Sequence, residues 1–339
     1  MNAPLKIGVV GVGHVGSLHA AVYRKLERDP SLRVELTGIF DSDPAKVRDA
    51  KKKFGCCAFN SLDEMAIGCD AVSICTPTER HCEVGKIFLG AGRHTLIEKP
   101  ISSNLAQAQE LVRLARENNC ILQVGHVERF NPVMRYLESV LTDPRFIEVH
   151  RLSPFPNRST DIGVVLDLMI HDFDLILAIV KSNIESLDAV GIPVLSKSED
   201  IANVRLRFAN GCVANITASR VSVERMRKIR VFQSSAYISL DYMRQEGQIY
   251  RLAADDARES SLLKKLLAGK DATVVSEFAG KKIVREPVPI EKDEPLTLEL
   301  RHFVECVRAG RPPLVSGEVA TDALVLAMTV TERIHGANS

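Results

Sequence analysis

The stretch that decides the fold of the N-terminal half is Ile7-Gly8-Val9-Val10-Gly11-Val12-Gly13-His14-Val15-Gly16. The apolar run at its start predicts a short strand, and the glycines at 11, 13 and 16 form a Gly-x-Gly-x-x-Gly turn that opens a helix. In that context, backbone N–H groups at a helix N-terminus can approach a pyrophosphate. The spacing therefore points to a bound dinucleotide, and a purely structural glycine turn is the alternative.

A second predicted strand supports the dinucleotide because it ends in an acidic residue. Gly38-Ile39-Phe40-Asp41 places the Asp41 carboxylate where this kind of sheet binds the ribose diol of adenosine. Ser42 and Asp43 follow, so a 2′-phosphate would meet negative charge rather than an Arg or Lys. We therefore predict NAD in preference to NADP, and the alternative role of Asp41 is that of a helix cap.

Residues 1–125 alternate short apolar runs with amphipathic segments. This alternation is typical of a doubly wound parallel sheet whose strands are connected by helices and covered on both faces. The predicted strands are Ile7–Val10, Val34–Phe40, Ala71–Cys75, His94–Ile97 and Ile121–Val124. The sequence thus predicts an α/β fold that starts with a Rossmann domain over residues 1–125, which binds the dinucleotide.

Residues 126–339 follow a different pattern, in which short strands succeed one another with turns such as Asn210-Gly211 between them. The strands predicted here are Glu185–Pro193, Asn203–Phe208, Cys212–Ser219, Ile229–Phe232, Tyr237–Tyr242 and Gln248–Leu252. Helices return between Pro295 and Gly310 and again after Ser316, a good N-cap residue. We predict a second α/β domain over residues 126–339, with an open, mainly antiparallel sheet and a C-terminal helix that can pack back on the first domain.

Length and charge narrow the class of protein. The 339 residues suggest two domains of ~150 residues each. Because 44 basic and 43 acidic residues nearly cancel, the overall charge favours neither nucleic acid nor an acidic membrane surface as a partner. The sequence shows no signal-peptide pattern, and its most apolar stretch, Val164–Val180, carries acidic residues unsuited to a membrane span. We expect a cytoplasmic protein.

The cysteines and histidines give no indication of a metal site. The eight cysteines include no Cys-x-x-Cys pair, and the nine histidines form no cluster with the spacing of metal ligands. We expect most of the cysteines to be small core residues in a reducing compartment. Hydride transfer to a dinucleotide needs no metal, and none is predicted.

The carboxyl ends of the later predicted strands should line the same crevice as the glycine turn. They carry Thr76-Pro77 and Glu98-Lys99-Pro100. Thr76 and Pro77 are placed to shape a turn beneath the nicotinamide ribose, and Lys99 is placed where an ammonium would point into the cleft. In other contexts a lone lysine is usually a solvated surface charge.

These motifs resemble the Gfo/Idh/MocA family, which is named for glucose-fructose oxidoreductase and inositol dehydrogenase. The likeness covers most of the chain and is carried by Gly11–His19, Thr76-Pro77 with His81, Ala91–His94 before Glu98-Lys99-Pro100, and Asp167–His171. It implies a Rossmann domain followed by an α/β domain whose open sheet carries the substrate and often the oligomer interface.

Two longer phrases, Gly125–Pro132 and Leu166–Asp174, look like the branch of that family that contains UDP-N-acetylglucosamine 3-dehydrogenases. The resemblance implies an NAD-dependent dehydrogenase that acts on a CH–OH group of a sugar, here the 3-hydroxyl of a nucleotide sugar. The alternatives are a dehydrogenase of a free sugar or inositol, and a non-catalytic NAD-binding regulator.

The apolar segment Val164–Val180 predicts a buried helix on which Asp167, His171 and Asp174 fall at i, i+4 and i+7 and share a face. Buried ionisable groups are costly without partners, so this face should line a polar cleft; a His–Asp pair satisfied inside the core is the alternative. By resemblance, Lys99, Asp167 and His171 are the catalytic residues, which argues against a pure regulator. His171 is assigned as general base, Asp167 balances charge and Lys99 hydrogen-bonds the reacting oxygen, with an exchange of roles between Lys99 and His171 left open.

The other site residues follow from the motifs and the resemblance. The predicted cofactor-binding residues are Gly11, Gly13, His14, Val15, Gly16, Asp41, Thr76, Pro77, His81, Glu98 and Lys99. The predicted substrate-binding residues are Arg129, Asn131, Arg158 and Asp174. Because an open antiparallel sheet exposes an apolar face, we also predict a homodimer or homotetramer that packs through the second domain.

Overall fold

The computed structural model describes residues 3–155, 162–254, 273–278 and 281–337, and the chain divides into two compact units. The first unit comprises Met1–Phe130 and Asp293–Val325, and the second comprises Asn131–Lys292 and Leu326–Ser339. The units differ from the predicted domains mainly in that residues 293–325 belong to the first one.

The first unit contains a six-stranded parallel sheet in the order β3-β2-β1-β4-β5-β6. Its strands are β1 Leu5–Val10, β2 Val34–Phe40, β3 Cys57–Ala58, β4 Ala71–Ile74, β5 His94–Glu98 and β6 Leu122–Gly125. The helices between them are α1 His14–Leu26, α2 Pro44–Phe54, α3 Leu62–Gly68, α4 Thr78–Gly90 and α5 Leu105–Glu117. This strand order is that of a doubly wound Rossmann sheet, which confirms the predicted fold class for this half.

The core of the first unit explains why residues 293–325 return to it. The central strands are buried on both faces, with Ile7 and Val9 fully inaccessible. Helix α8, Pro295–Ala309, has the predicted bounds and packs Leu300, Phe303 and Val304 into the same core as α1. The predicted second domain included this helix. Its sequence shows that one face is apolar but not which of the two sheets that face packs against.

The second unit contains a nine-stranded sheet in the order β14-β15-β13-β12-β11-β7-β10-β9-β8. Its strands are β7 Pro144–Leu152, β8 Ile184–Ile192, β9 Ile201–Phe208, β10 Val213–Ser219, β11 Met226–Gln233, β12 Ala236–Asp241, β13 Glu246–Ala254, β14 Thr273–Phe278 and β15 Lys281–Pro287. Neighbouring strands are antiparallel, except that β7 and β10 are parallel. The prediction of an open, mainly antiparallel sheet is therefore confirmed.

The remaining helices include one turn of unusual geometry. A 3₁₀ helix covers Val127–Phe130, and α6 covers Pro132–Val140. A π-helical turn, Val165–Met169, leads directly into α7, Ile170–Val180. Helix α9, Gly317–Ala337, begins after Ser316, whose hydroxyl accepts from the N–H of Val319 as the sequence predicted for an N-cap. Within the described ranges, the helices are too short or too polar to cross a membrane.

Candidate active site

Each of the three glycines in the turn between β1 and α1 is required for a different steric reason. Gly11 has a φ of +81°, and a Cβ there would lie 2.8 Å from the carbonyl oxygen of Cys75. A Cβ at Gly16 would overlap the carbonyl group of Gly11, so this position lets the helix pack against the turn. A Cβ at Gly13 would meet no described atom within 4 Å, which leaves space where a pyrophosphate would approach.

The N-terminus of α1 offers donors to an anion. Gly13 is the N-cap, and none of the described side chains caps the helix, so the first-turn N–H groups keep their donor capacity. His14 and Val15 are exposed in that first turn. An N-terminus with free N–H groups and open space beside Gly13 fits the pyrophosphate of a dinucleotide.

Asp41 lies directly after β2 and contacts the glycine turn. Its Oδ2 accepts from the N–H of Val12 at 2.8 Å, and its Oδ1 accepts from the N–H of Asp43 at 2.9 Å. The helix-cap role falls instead to Asp43, which accepts from the N–H of Ala45 at the start of α2. Asp41 is thus a half-buried carboxylate held beside the turn, as the prediction of a ribose-binding group requires.

Thr76, Pro77 and His81 lie at the carboxyl end of β4 and the start of α4. The Thr76 hydroxyl is buried and has no hydrogen-bond partner within the described part of the chain, which fits a ligand at this turn. His81 is buried, with Nδ1 2.8 Å from the carbonyl of Pro100 and Nε2 2.9 Å from the carbonyl of Thr76. Its two ring nitrogens therefore face the carbonyls of two strand-end turns, and the predicted contact of His81 with the cofactor stays a prediction.

Glu98 ends β5 and Lys99 follows it, and the Lys99–Pro100 peptide bond is cis. Oε1 of Glu98 lies 3.0 Å from Nε2 of His19, and its Oε2 accepts from the N–H of Lys99 at 3.2 Å. Burial, followed by the positive charge of Lys99, lowers the pKa of the nearby His126 to about 3, so this ring is neutral near neutral pH.

His19 and His126 were not among the predicted site residues. His19 lies one helical turn after Gly16, which places it on the face of α1 that turns toward the sheet. That spacing is the sequence signal that could have found it. His126 follows β6 directly, at the same edge of the sheet as the predicted strand-end residues.

Arg129 and Asn131 flank the point where the chain passes from one unit to the other. Arg129 lies in the 3₁₀ helix and is mostly buried. Asn131 is the N-cap of α6: its side-chain oxygen accepts from the N–H of Val133, and its amide donates to the carbonyl of Tyr242. Asn131 therefore has a structural role that the prediction of substrate binding did not include. The predicted Arg158 lies outside the described residues.

In the second unit, the predicted helix from Val164 begins as a π turn rather than an α turn. Asp167 lies in that turn, and the N–H of Ile170 bonds to the carbonyl of Val165, five residues earlier. His171 follows in the first turn of α7 and is half-buried, as is Asp167, while Asp174 is almost fully buried. π turns interrupt α-helices frequently at functional sites.

An ion pair anchors the first turn of α7 to the sheet. The guanidinium of Arg151, on β7, donates to both carboxylate oxygens of Asp172, at 2.7 and 2.8 Å. Both side chains are almost completely inaccessible to solvent. Because Asp172 follows His171 directly, this bidentate pair fixes the backbone that carries His171.

The structure therefore groups the predicted site residues within each unit. In the first unit, the glycine turn, Asp41, Thr76, Pro77, Glu98 and Lys99 all lie at the carboxyl ends of parallel strands. In the second unit, Asp167, His171 and Asp174 lie along one π turn and the helix after it. No group of three or more possible metal ligands occurs among the residues that the structure describes.

Family models match both units. One described as "Oxidoreductase family, NAD-binding Rossmann fold" matches residues 5–126, and one described as "GFO/IDH/MocA C-terminal domain" matches residues 134–239. The chain belongs to the Gfo/Idh/MocA family of oxidoreductases. The predicted resemblance is thereby confirmed, and so is NAD as the cofactor of the Rossmann domain.

Individual members of the family resemble the chain over its whole length. A UDP-N-acetylglucosamine 3-dehydrogenase from Acidithiobacillus ferrooxidans is 33% identical over 327 residues, covering 96% of each chain. A solved structure of that enzyme matches with a TM-score of 0.87 at 32% identity and covers 99% of each chain. A myo-inositol 2-dehydrogenase from Thermotoga maritima is 28% identical and covers 95% of this chain and 94% of its own. This family member is accordingly an NAD-dependent dehydrogenase that acts on CH–OH groups.

Proposed function

We propose that the protein oxidises the 3-hydroxyl of a UDP-N-acetylglucosamine-type nucleotide sugar, with NAD as the hydride acceptor. The observation that carries this proposal is the 33% identity to the A. ferrooxidans UDP-N-acetylglucosamine 3-dehydrogenase over 96% of each chain. The similarity is not confined to the NAD-binding half, and we assign substrate binding to the second domain. A likeness that includes the second domain therefore bears on the substrate as well as on the cofactor.

The proposed chemistry assigns a separate task to each catalytic residue. Bound NAD supplies the hydride acceptor, C4 of the nicotinamide. His171 takes the proton of the sugar hydroxyl, because an imidazole titrates near neutral pH. Asp167 balances the charge of the protonated imidazole. Lys99 donates a hydrogen bond to the reacting oxygen and stabilises the negative charge that develops there.

The substrate is tested by following NADH absorbance with a panel of UDP-sugars, inositol and free hexoses. An aminotransferase and glutamate are added to remove the ketone and draw the reaction forward. We expect turnover with UDP-N-acetylglucosamine. Turnover with inositol or free sugars alone would indicate an unactivated sugar or cyclitol as the substrate, as the name of the T. maritima relative does for that enzyme. If NAD binds but no compound of the panel is oxidised, a non-catalytic regulator is favoured.

The catalytic assignments are tested by Lys99→Met and His171→Gln. Each substitution is expected to lower kcat by ~10² or more while NAD affinity is largely kept, as is typical for loss of an acid–base group. If His171 is the base, the limb of the kcat–pH profile in the imidazole range disappears in His171→Gln and persists in Lys99→Met. The reverse pattern would assign the base to Lys99, and near-normal turnover in both variants would remove both assignments.

A further inference from the structure

We propose that His19 is a positioning residue for Lys99 and acts through the carboxylate of Glu98. This inference rests on the catalytic role proposed for Lys99. His19 lies on α1, on the sheet-facing side that begins with Gly16. Its side chain is completely buried, and its Nε2 lies 3.0 Å from Oε1 of Glu98. A carboxylate only accepts hydrogen bonds, so Nε2 carries the proton and donates.

Glu98 transmits this contact to the adjacent lysine. Its second carboxylate oxygen accepts from the backbone N–H of Lys99 at 3.2 Å, so the carboxylate bridges the ring of His19 and the backbone that carries the ammonium. The side chain of Glu98 is 18% exposed, which leaves it little freedom to turn elsewhere.

Gly125, at the end of β6, makes room for the bridge. A Cβ at this position would lie 2.9 Å from the carboxylate carbon of Glu98 and from one of its oxygens. A larger residue would therefore push the carboxylate away from its place between His19 and Lys99. The glycine, the glutamate and the histidine come from β6, β5 and α1, yet they define one position for one carboxylate.

The charges around Glu98 favour its ionised form. The titratable groups that face it from its own strand end and from neighbouring elements are His19, Cys75, His81, Lys99 and His126. Burial raises the pKa of the Glu98 carboxyl, but the hydrogen bond from His19 and the electrostatic effect of His19, Lys99 and His81 outweigh burial and hold the pKa below its usual value. With His126 neutral, the carboxylate places a negative charge beside the Lys99 ammonium, and His19 keeps that charge there.

Two substitutions of the same residue test this role. His19→Leu removes the donor but keeps an apolar side chain of similar bulk, and His19→Gln keeps an amide donor near the position of Nε2. We expect His19→Leu to lower kcat by ~10- to 100-fold, the usual effect of misplacing a reacting group, with little change in the Kd of NAD. His19→Gln should recover most of that loss. Because the Glu98 carboxyl protonates more readily without its donor, the acid limb of the kcat–pH profile that lies below the imidazole limb assigned to His171 should move to higher pH in His19→Leu.

A second measurement does not depend on turnover. In protein labelled with ¹³C at the glutamate carboxyl and free of NAD, the Glu98 resonance is identified by its loss in Glu98→Gln and followed against pH. We expect this carboxyl to titrate at higher pH in His19→Leu than in the wild type. If the wild type oxidises no sugar, the proposed function fails, whereas the titration still decides whether His19 holds the Glu98 carboxylate.

A matched control is His94→Leu at the opposite end of β5. His94 accepts a hydrogen bond from the N–H of Ile121 at 3.0 Å, so its loss should reduce thermal stability without moving the Glu98 titration. The positioning role would be overturned if His19→Leu and His19→Gln lost activity equally and in proportion to stability. It would also be overturned if the acid limb and the ¹³C titration both stayed where the wild type has them.

Discussion

Alanine substitutions at two glycines of the same turn should separate NAD binding from folding. A Cβ at Gly13 would meet no described atom within 4 Å, and the residue has an ordinary φ of −64°. A Cβ at Gly16 would overlap the carbonyl group of Gly11, with the carbonyl carbon only 2.9 Å away, and would lie 3.3 Å from the Cβ of Cys75. Gly13→Ala is therefore expected to fold and to bind NAD poorly, whereas Gly16→Ala should fold poorly.

The expected loss of affinity in Gly13→Ala follows from the charge of the ligand. The added methyl group would occupy space that the pyrophosphate needs in order to reach the N–H groups of α1. Loss of one hydrogen bond to a charged group removes about 1.5–3 kcal/mol. The Kd of NADH should then rise by roughly 10- to 150-fold, since each 1.4 kcal/mol is a factor of ten. The change at the N-cap itself should cost about 1 kcal/mol of stability or less.

The expected loss of stability in Gly16→Ala is the difference between two effects. Alanine gains about 1 kcal/mol over glycine from its higher helix propensity. Overpacking against a fixed backbone carbonyl costs about 3 kcal/mol, the upper end of the usual range. The net loss of about 2 kcal/mol should lower the unfolding midpoint of the Rossmann unit by roughly 4–8 °C.

Fluorescence titration and thermal unfolding measure the two effects separately. The chain contains no tryptophan, so the emission of NADH reports binding with little protein background. Gly90→Ala, at the end of α4, is a matched control because a Cβ there also meets no described atom within 4 Å, and it should change neither quantity. Wild-type affinity in Gly13→Ala, or wild-type stability in Gly16→Ala, would refute the division of roles between the two glycines.

Asp41→Asn should narrow the preference for NADH over NADPH, because it removes the charge that repels a 2′-phosphate; equal Kd values for both dinucleotides in the wild type would contradict the predicted preference. Asp172→Asn should lower the free energy of unfolding, measured by urea denaturation, by about 3–5 kcal/mol because it removes one charge of a buried ion pair. Arg151→Met with Asp172→Leu should recover most of that loss. A single variant as stable as the wild type would show that the pair is dispensable. Phe232 and Tyr237 stack with ring centroids 4.5 Å apart, and Phe232 is 37% exposed on the open sheet. Light scattering should find a wild-type dimer or tetramer that Phe232→Glu dissociates. A wild-type monomer at micromolar concentration would contradict the predicted assembly.

The sequence predicted the first unit well because its signals are local. The glycine turn, the acidic end of β2 and the apolar strands are each contained in a few consecutive residues. The two-residue strand β3 was missed because Cys57–Ala58 is too short to show a pattern. Strand β7 was missed for a different reason: its buried register runs through Ile147, Val149 and Arg151, and the charge of Arg151 obscures the apolar alternation. Asp172 neutralises that charge from another element.

The distinction between local signals and distant partners also separates the site residues that were predicted from those that were missed. Residues proposed to touch ligands, such as Lys99, follow strands, and the rule that ligands bind at the carboxyl ends of parallel strands identifies them from sequence. His19 was missed, and its partner Glu98 lies far away in the chain. His81 was predicted, but its contact with the carbonyl of Pro100 was not. The spacing from Gly16 indicates which face of α1 carries His19, but no neighbouring residue in the sequence reveals that its partner is Glu98. Substituting these buried histidines therefore probes the residues that support the groups proposed to touch the ligands.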